Sequence, residues 1–150
     1  MVDSNVQEFN SRLDIFVANA GIPWTKGPMT TGPIEHYRDV YATDVDGVWY
    51  CARAAAKHFL AQKEAKLENF SQGSFIATAS MSGLVVNIPQ FQAAYNSAKA
   101  AVIHMVKCLA VEWVGFARAN SVSPGYIATE ISSFVDGETK DIWRDKTVMG

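Results

Sequence analysis

The sequence predicts an α/β fold, the second half of a doubly wound parallel sheet with helices on both faces. Three observations predict it. Short apolar runs of strand length alternate with long stretches of helix-forming residues. Each run closes on small residues or glycine: Asn19-Ala20-Gly21, Ser80-Met81-Ser82-Gly83 and Pro124-Gly125. The connections between runs have the length of the crossover helices that parallel strands require.

The first strand is Leu13 to Ala18, a continuous apolar run followed by a loop rich in Gly and Pro from Gly21 to Pro33. From Ile34 to about Lys66 the residues favour helix, with Ala52, Ala54, Ala55, Ala56 and Phe59 on the packing side and Lys57, Lys63 and Glu64 toward water. Gly47 inside this stretch predicts a kink or a close helix contact. A polar segment from Glu68 to Gly73 leads into the second strand, Ser74 to Ala79. A second long helix is expected over Phe91 to Phe116, and a third strand over Ala119 to Ser123. No internal repeat or low-complexity tract divides the chain.

Composition narrows the function classes. With 150 residues, 49% hydrophobic and 19% charged, the chain has the make-up of a core-forming protein and not of a disordered one. A formal net charge of -2 gives no global basic field to hold a phosphate backbone, so nucleic acid is not an expected partner. Cys51 and Cys108 lie in apolar, helix-like stretches, which predicts buried free thiols in a reducing compartment. The first residues, Met1 to Glu8, are polar and acidic, unlike a secretory or transit signal. Even the apolar stretch Ala98 to Val114 is broken by Lys99, His104, Lys107 and Glu112, so no membrane span is expected and the predicted address is the cytoplasm. His36, His58 and His104 are too scattered for a metal site.

In open parallel sheets, ligands bind beyond the carboxyl ends of the strands, so the three small-residue segments should converge on one cleft. The sharpest feature near them is Tyr95-Asn-Ser-Ala-Lys99, whose spacing puts a phenol and an ammonium on one helix face, one turn apart. The surrounding helix is apolar, so Lys99 falls on a face that should be buried, and a buried ammonium needs a reason. A phenol titrates near 10, too high for base catalysis at neutral pH. A cation about 5 Å away at an effective dielectric of about 20 favours the phenolate by about 3 kcal/mol, or about two pKa units. That shift would suit general acid–base work. A carbonyl being reduced also needs a hydrogen-bond donor on its oxygen, and the hydroxyl of Ser80 or Ser82 is placed to give one.

Together, Asn19-Ala20-Gly21, Ser80-Met81-Ser82-Gly83, Tyr95-x-x-x-Lys99 and Ser123-Pro-Gly-Tyr-Ile-Ala-Thr129 resemble the short-chain dehydrogenase/reductase family. The run SMSGLVVNIPQFQAAYNSAKAAV with FARANSVSPGYIATEISSF is similar to the fungal sugar-alcohol and carbonyl reductases of that family. The resemblance implies a partial Rossmann-type domain that transfers hydride between NADP, or NAD, and a small carbonyl or polyol substrate. It implies that Tyr95 gives and takes the proton, and that Lys99 lowers the Tyr95 pKa while holding the cofactor ribose. Ser80, three residues before Gly83, would polarise the carbonyl. The Ser80-to-Tyr95 separation is longer than usual in the family, which keeps Ser82 as the other choice and as a substrate contact. Asn19, Ala20 and Gly21 would line the adenosine half of the cofactor site. Pro124, Gly125, Ile127 and Thr129 would border the nicotinamide. Asn87 and Gln90, with Gln92, could bond a polyol, or form a polar loop in water. Phe134, Ile142 and Trp143 would anchor a flap over the substrate, and the long helices would join copies into a dimer or tetramer.

Two departures bear on activity. Asp44 stands where the family pattern has asparagine, in Thr43-Asp44-Val-Asp-Gly47; the resemblance gives that position a main-chain carbonyl role beside the lysine, which survives the change. The ten glycines match neither GxGxxG nor the GxxxGxG of the family. The expectation is a single partial domain over residues 1–150, lacking the phosphate-binding turn and, after Val148-Met149-Gly150, the final strand. Two readings therefore stand open: an oxidoreductase, or a truncated or non-catalytic relative acting as a binding or oligomerisation module.

Overall fold

The computed structural model describes residues 2–8 and 11–147; the closing Val148-Met149-Gly150 lies outside the described residues. In chain order the elements are α1 (Val2–Glu8), β1 (Ile15–Ala18), α2 (Ile34–Tyr41), a π-helical turn (Ala42–Asp46) and α3 (Gly47–Glu64). Then come β2 (Gly73–Thr78), a 3-10 turn (Met81–Gly83), α4 (Ala93–Glu112), β3 (Ala117–Val122), a second 3-10 turn (Glu130–Ser132) and α5 (Gly137–Lys146). The strands form one parallel sheet in the order β1-β2-β3. This is the partial α/β architecture that the apolar runs predict.

Register explains where the core sits. Phe16 pairs with Phe75 and Phe75 with Ala119, while Ala18 pairs with Ala77, so these side chains share one face. They pack with Val48, Ala52, Ala55 and Phe59 of α3 and with Val102, Val106 and Leu109 of α4 in one buried cluster. Both long helices thus cover the same face. Right-handed crossovers stepping in one direction across a sheet place their helices on one side. On the other face Ile15 and Val17 are 62% and 53% exposed.

The helix boundaries also differ from the periodicity, each for a local reason. The stretch from Ile34 is interrupted by the π-helical turn just before Gly47, so the predicted break is there, but Gly47 makes no tight contact: a Cβ on it would find only the Ala42 carbonyl oxygen, at 3.6 Å. The helix expected over Phe91 to Phe116 is shorter at both ends. Gln92 has non-helical backbone angles, and Gly115, at φ +96°, takes the left-handed conformation that ends helices. β1 starts two residues after Leu13, whose backbone is instead held by the side chain of Gln62.

The two cysteines are free thiols, but only Cys51 is part-buried; Cys108 is exposed, which corrects the prediction that both are buried. It sits on the outer side of α4, away from the sheet. Among the described residues no helix is long and apolar enough to cross a membrane, and no His/Cys/Asp/Glu group is arranged to hold a metal.

Candidate active site

The carboxyl ends of all three strands open on one cleft of about 1320 Å³. Asn19, Ala20 and Gly21 line it after β1, Ser80 and Ser82 after β2, and Pro124, Gly125, Ile127 and Thr129 after β3. The strand ends are tied together: Met81 N–H donates to the Pro124 carbonyl at 3.0 Å, and the Thr78 hydroxyl donates to Asn19 Oδ1 at 2.9 Å. Tyr95 and Lys99, from the first two turns of α4, face the same cleft. Gly83 permits this approach. A Cβ there would lie 2.7 Å from both the Ala100 nitrogen and the Lys99 carbonyl carbon.

Ser80 is buried, accepts a hydrogen bond from the Ser82 N–H at 3.1 Å, and its hydroxyl bears on the Tyr95 phenol. Lys99 is buried on α4, as the apolar helix predicts, at 3% exposure. Its ammonium donates to the Thr78 carbonyl at 3.1 Å and lies 3.2 Å from Asp44 Oδ2. Asp44 is fully buried behind the cleft wall, and its other oxygen accepts the Ile22 N–H at 2.8 Å. The structure therefore gives Asp44 a side-chain partner in addition to any main-chain role. The π-helical turn, with its extra residue per hydrogen-bonded loop, is what carries this carboxylate inward from α2.

Burial reverses the electrostatic expectation for Tyr95. Lys99 lies 5.5 Å from the Tyr95 ring centre, close to the distance assumed. Yet the phenol is pushed above its ordinary value, chiefly by burial; the Ser80 hydrogen bond pulls it back and the Asp44 charge pushes it up again. A cation already matched by a buried carboxylate presents little net charge to its neighbour. Asp44 itself is raised by burial, with the Lys99 charge and the Ile22 and Lys99 hydrogen bonds acting the other way.

Asn87 and Gln90 also line the cleft. Asn87 and Gln92 are buried, so two of the three loop amides are not simply solvated. Asn87 donates to the Tyr126 hydroxyl at 3.0 Å, and Tyr126 stacks on Trp143 of α5. Of the expected flap anchors, Trp143 is buried, Ile142 is part-buried and Phe134 is 42% exposed. Sequence reasoning passed over Thr78 and Tyr126. Tyr126 lies within the Pro124-Gly125-Tyr126-Ile127 segment, where an aromatic beside a turn at a strand end was the available signal. Thr78 acts largely through its carbonyl, which no side-chain pattern reports.

Chemically, the cleft offers two hydroxyls, one neutral phenol, and an ammonium that donates to the Thr78 carbonyl and pairs electrostatically with Asp44. Gly21 leaves that ammonium approachable, since a Cβ there would sit 3.1 Å from Lys99 Nζ. Such a set can polarise a carbonyl, supply it with a proton and hold a hydroxylated ligand.

Residues 1–150 match the family model described as Enoyl-(Acyl carrier protein) reductase. The chain is 60% identical over 152 residues to L-xylulose reductase of Hypocrea jecorina, covering 97% of this chain and 53% of that protein. It is 54% identical over 140 residues to the Probable NADP-dependent mannitol dehydrogenase of Yarrowia lipolytica, covering 93% and 48%. The solved NADPH-dependent 3-quinuclidinone reductase from Rhodotorula rubra superposes with a TM-score of 0.86 at 36% identity, covering 99% of this chain and 52% of that one. The chain thus spans about half the length of the relatives it matches. Sequence, sheet topology and cleft agree, and the chain belongs to the short-chain dehydrogenase/reductase family.

Proposed function

We propose that the chain carries the acid–base end of an oxidoreductase that moves hydride between NADP(H) and the carbonyl or alcohol carbon of a small ketose or polyol. The observation that carries this reading is the meeting of Ser80 and Tyr95 at the mouth of the strand ends, with Lys99 buried beside them. The similarity to an L-xylulose reductase and a mannitol dehydrogenase supports the substrate class, and the NADP dependence of that mannitol dehydrogenase and of the 3-quinuclidinone reductase supports NADP over NAD.

The residues present fit the nicotinamide dinucleotide. Gly21 leaves a gap over Lys99 that a side chain would fill, and the Lys99 ammonium, held by the Thr78 carbonyl, keeps N–H groups to meet ribose hydroxyls. Asn19 and Ala20 would line the adenosine half, and Pro124, Gly125, Ile127 and Thr129 the nicotinamide half. When bound, the cofactor supplies the hydride. Ser80 holds and polarises the substrate carbonyl oxygen. Tyr95 donates its proton to that oxygen as the carbon is reduced, and the phenolate left behind recovers a proton from solvent. In the reverse direction Tyr95 takes the alcohol proton. Its raised pKa favours the donating role at neutral pH.

Exposed Trp49, Tyr50 and Leu60 on α3, Val111 on α4 and Val114 just after it support a homo-oligomer. Two free cysteines suit a reducing compartment, which supports the cytoplasm as the working address.

The test is consumption of NADPH, followed by absorbance, in the presence of L-xylulose. Sugar-dependent turnover is expected, reduced at least about 100-fold by Tyr95→Phe with NADPH binding retained. A chain that neither binds NADPH nor turns over would sink this reading in favour of a non-catalytic module.

A further inference from the structure

Asn87 lies in the loop between the 3-10 turn at Met81–Gly83 and α4, and Tyr126 in the loop that follows β3; both line the cleft. Asn87 is 5% exposed. Its amide nitrogen donates to the Tyr126 hydroxyl at 3.0 Å, while its Oδ1, also buried, has no hydrogen-bond partner among the described residues. A buried acceptor left unpaired costs free energy that a bound donor recovers. The Tyr126 hydroxyl accepts from Asn87, and no acceptor among the described residues takes its proton. The two side chains therefore offer one acceptor and one donor, a single hydrogen bond apart, with the Tyr126 ring held in place by its stack on Trp143.

Only a group that both gives and takes a hydrogen bond answers both. A hydroxyl does. A carboxylate has no proton for Oδ1, an ammonium has no lone pair for the Tyr126 proton, and a hydrocarbon meets neither. The broad terminal torsion of asparagine lets the amide turn toward a ligand without leaving its rotamer. We propose that Asn87 and Tyr126 form a hydroxyl-reading subsite. Asn87 Oδ1 accepts from one substrate hydroxyl, away from the reacting carbon, and the Tyr126 hydroxyl donates to it. The cleft thereby selects a hydroxylated ketone over a plain ketone of the same length. This rests on the reading of the cleft as a carbonyl-reducing site and adds to it the two atoms that set substrate choice. A plain ketone seated here leaves a buried acceptor unpaired, and that loss is the discrimination.

The experiment titrates the isotope-labelled full chain with L-xylulose and, separately, with 2-pentanone, which has the same carbon chain and carbonyl but no hydroxyl. The Asn87 side-chain amide is followed by proton–nitrogen NMR, its signal identified by its loss in Asn87→Leu. No turnover is required. A saturable shift with L-xylulose is expected, at a concentration at least about tenfold below that needed for 2-pentanone. Tyr126→Phe keeps the ring against Trp143 and removes the hydroxyl, and is expected to shrink that preference about tenfold. Equal response to the two ketones, no response to L-xylulose, or an undiminished preference in Tyr126→Phe would overturn the proposal. Should Asn87→Leu fail to fold, Asn87→Asp identifies the signal equally well, since it also removes the amide nitrogen. A chain that shows the preference but consumes no NADPH fails the functional reading alone. One that reduces both ketones at equal kcat/KM fails this proposal alone.

Discussion

Tyr126 stacks on Trp143 with ring centres 4.0 Å apart and planes within 9° of parallel. The pair joins the loop after β3 to α5, and Asn87 joins both to the loop after β2 by its bond to the Tyr126 hydroxyl. Docking of α5 over the cleft therefore depends on one ring. Trp143→Ala is expected to cost about 3 kcal/mol in the local stability of α5, seen as faster amide exchange over residues 137–146 with β2 still protected. Trp143→Phe keeps a stacking ring and removes an indole N–H that has no partner, so it should lose less than half as much.

Gly83 and Gly47 should respond in opposite directions to alanine. At Gly83 the new methyl meets main-chain atoms of Lys99 and Ala100, which cannot swing aside, and a loss of about 2–3 kcal/mol is expected. At Gly47 the space is open and φ is -57°, so alanine should gain about 0.5–1 kcal/mol. Denaturant midpoints of the two variants check both signs.

Gln62, 6% exposed, clasps the backbone of Leu13 in both directions, accepting from its N–H and donating to its carbonyl. Gln62→Leu fits the space and leaves both groups unpaired, so we expect a loss of about 2–4 kcal/mol. Gln62→Glu keeps only the accepting half and should fall in between. Equal stability of all three proteins in urea would refute this account of how β1 is entered.

The Tyr95 proton links stability to pH. Burial, more than any charge, makes the folded chain bind that proton more tightly than the unfolded chain does. The associated stabilisation is fully present below the unfolded phenol value of about 10 and is lost as pH rises through the higher folded value. The stability difference between the parent and Tyr95→Phe should be level from about pH 6 to 9 and turn against the parent above about pH 10. A difference that already falls near neutrality would mean that the phenol is ionised in the folded state.

The strand ends were legible because three apolar runs each stop at Gly or small residues, and the parallel sheet brings such ends to one level. Tyr95 and Lys99 were legible through helical spacing. What periodicity could not carry was the π-helical turn, since no residue type marks a hydrogen bond that skips one position further. With the turn went the pairing of Asp44 with Lys99; the sign of the Tyr95 shift was hidden separately, in how deeply the fold buries the phenol. The one-sided cover of the sheet escaped for another reason: apolar residues such as Ile15 and Val17 read as buried whether or not a layer lies above them. α5 had a local signal in Asp136, whose carboxylate accepts the Thr139 N–H at 2.7 Å, but its charged composition hid it.

Ser80 follows the end of β2 and Tyr95 lies in the first turn of α4, and the hydroxyl of one bears on the phenol of the other. Their approach is gauged by Gly83, where the turn after β2 lies against the main chain of α4. A single added carbon there would act as a shim, spacing hydroxyl from phenol while leaving every polar group in the cleft unchanged.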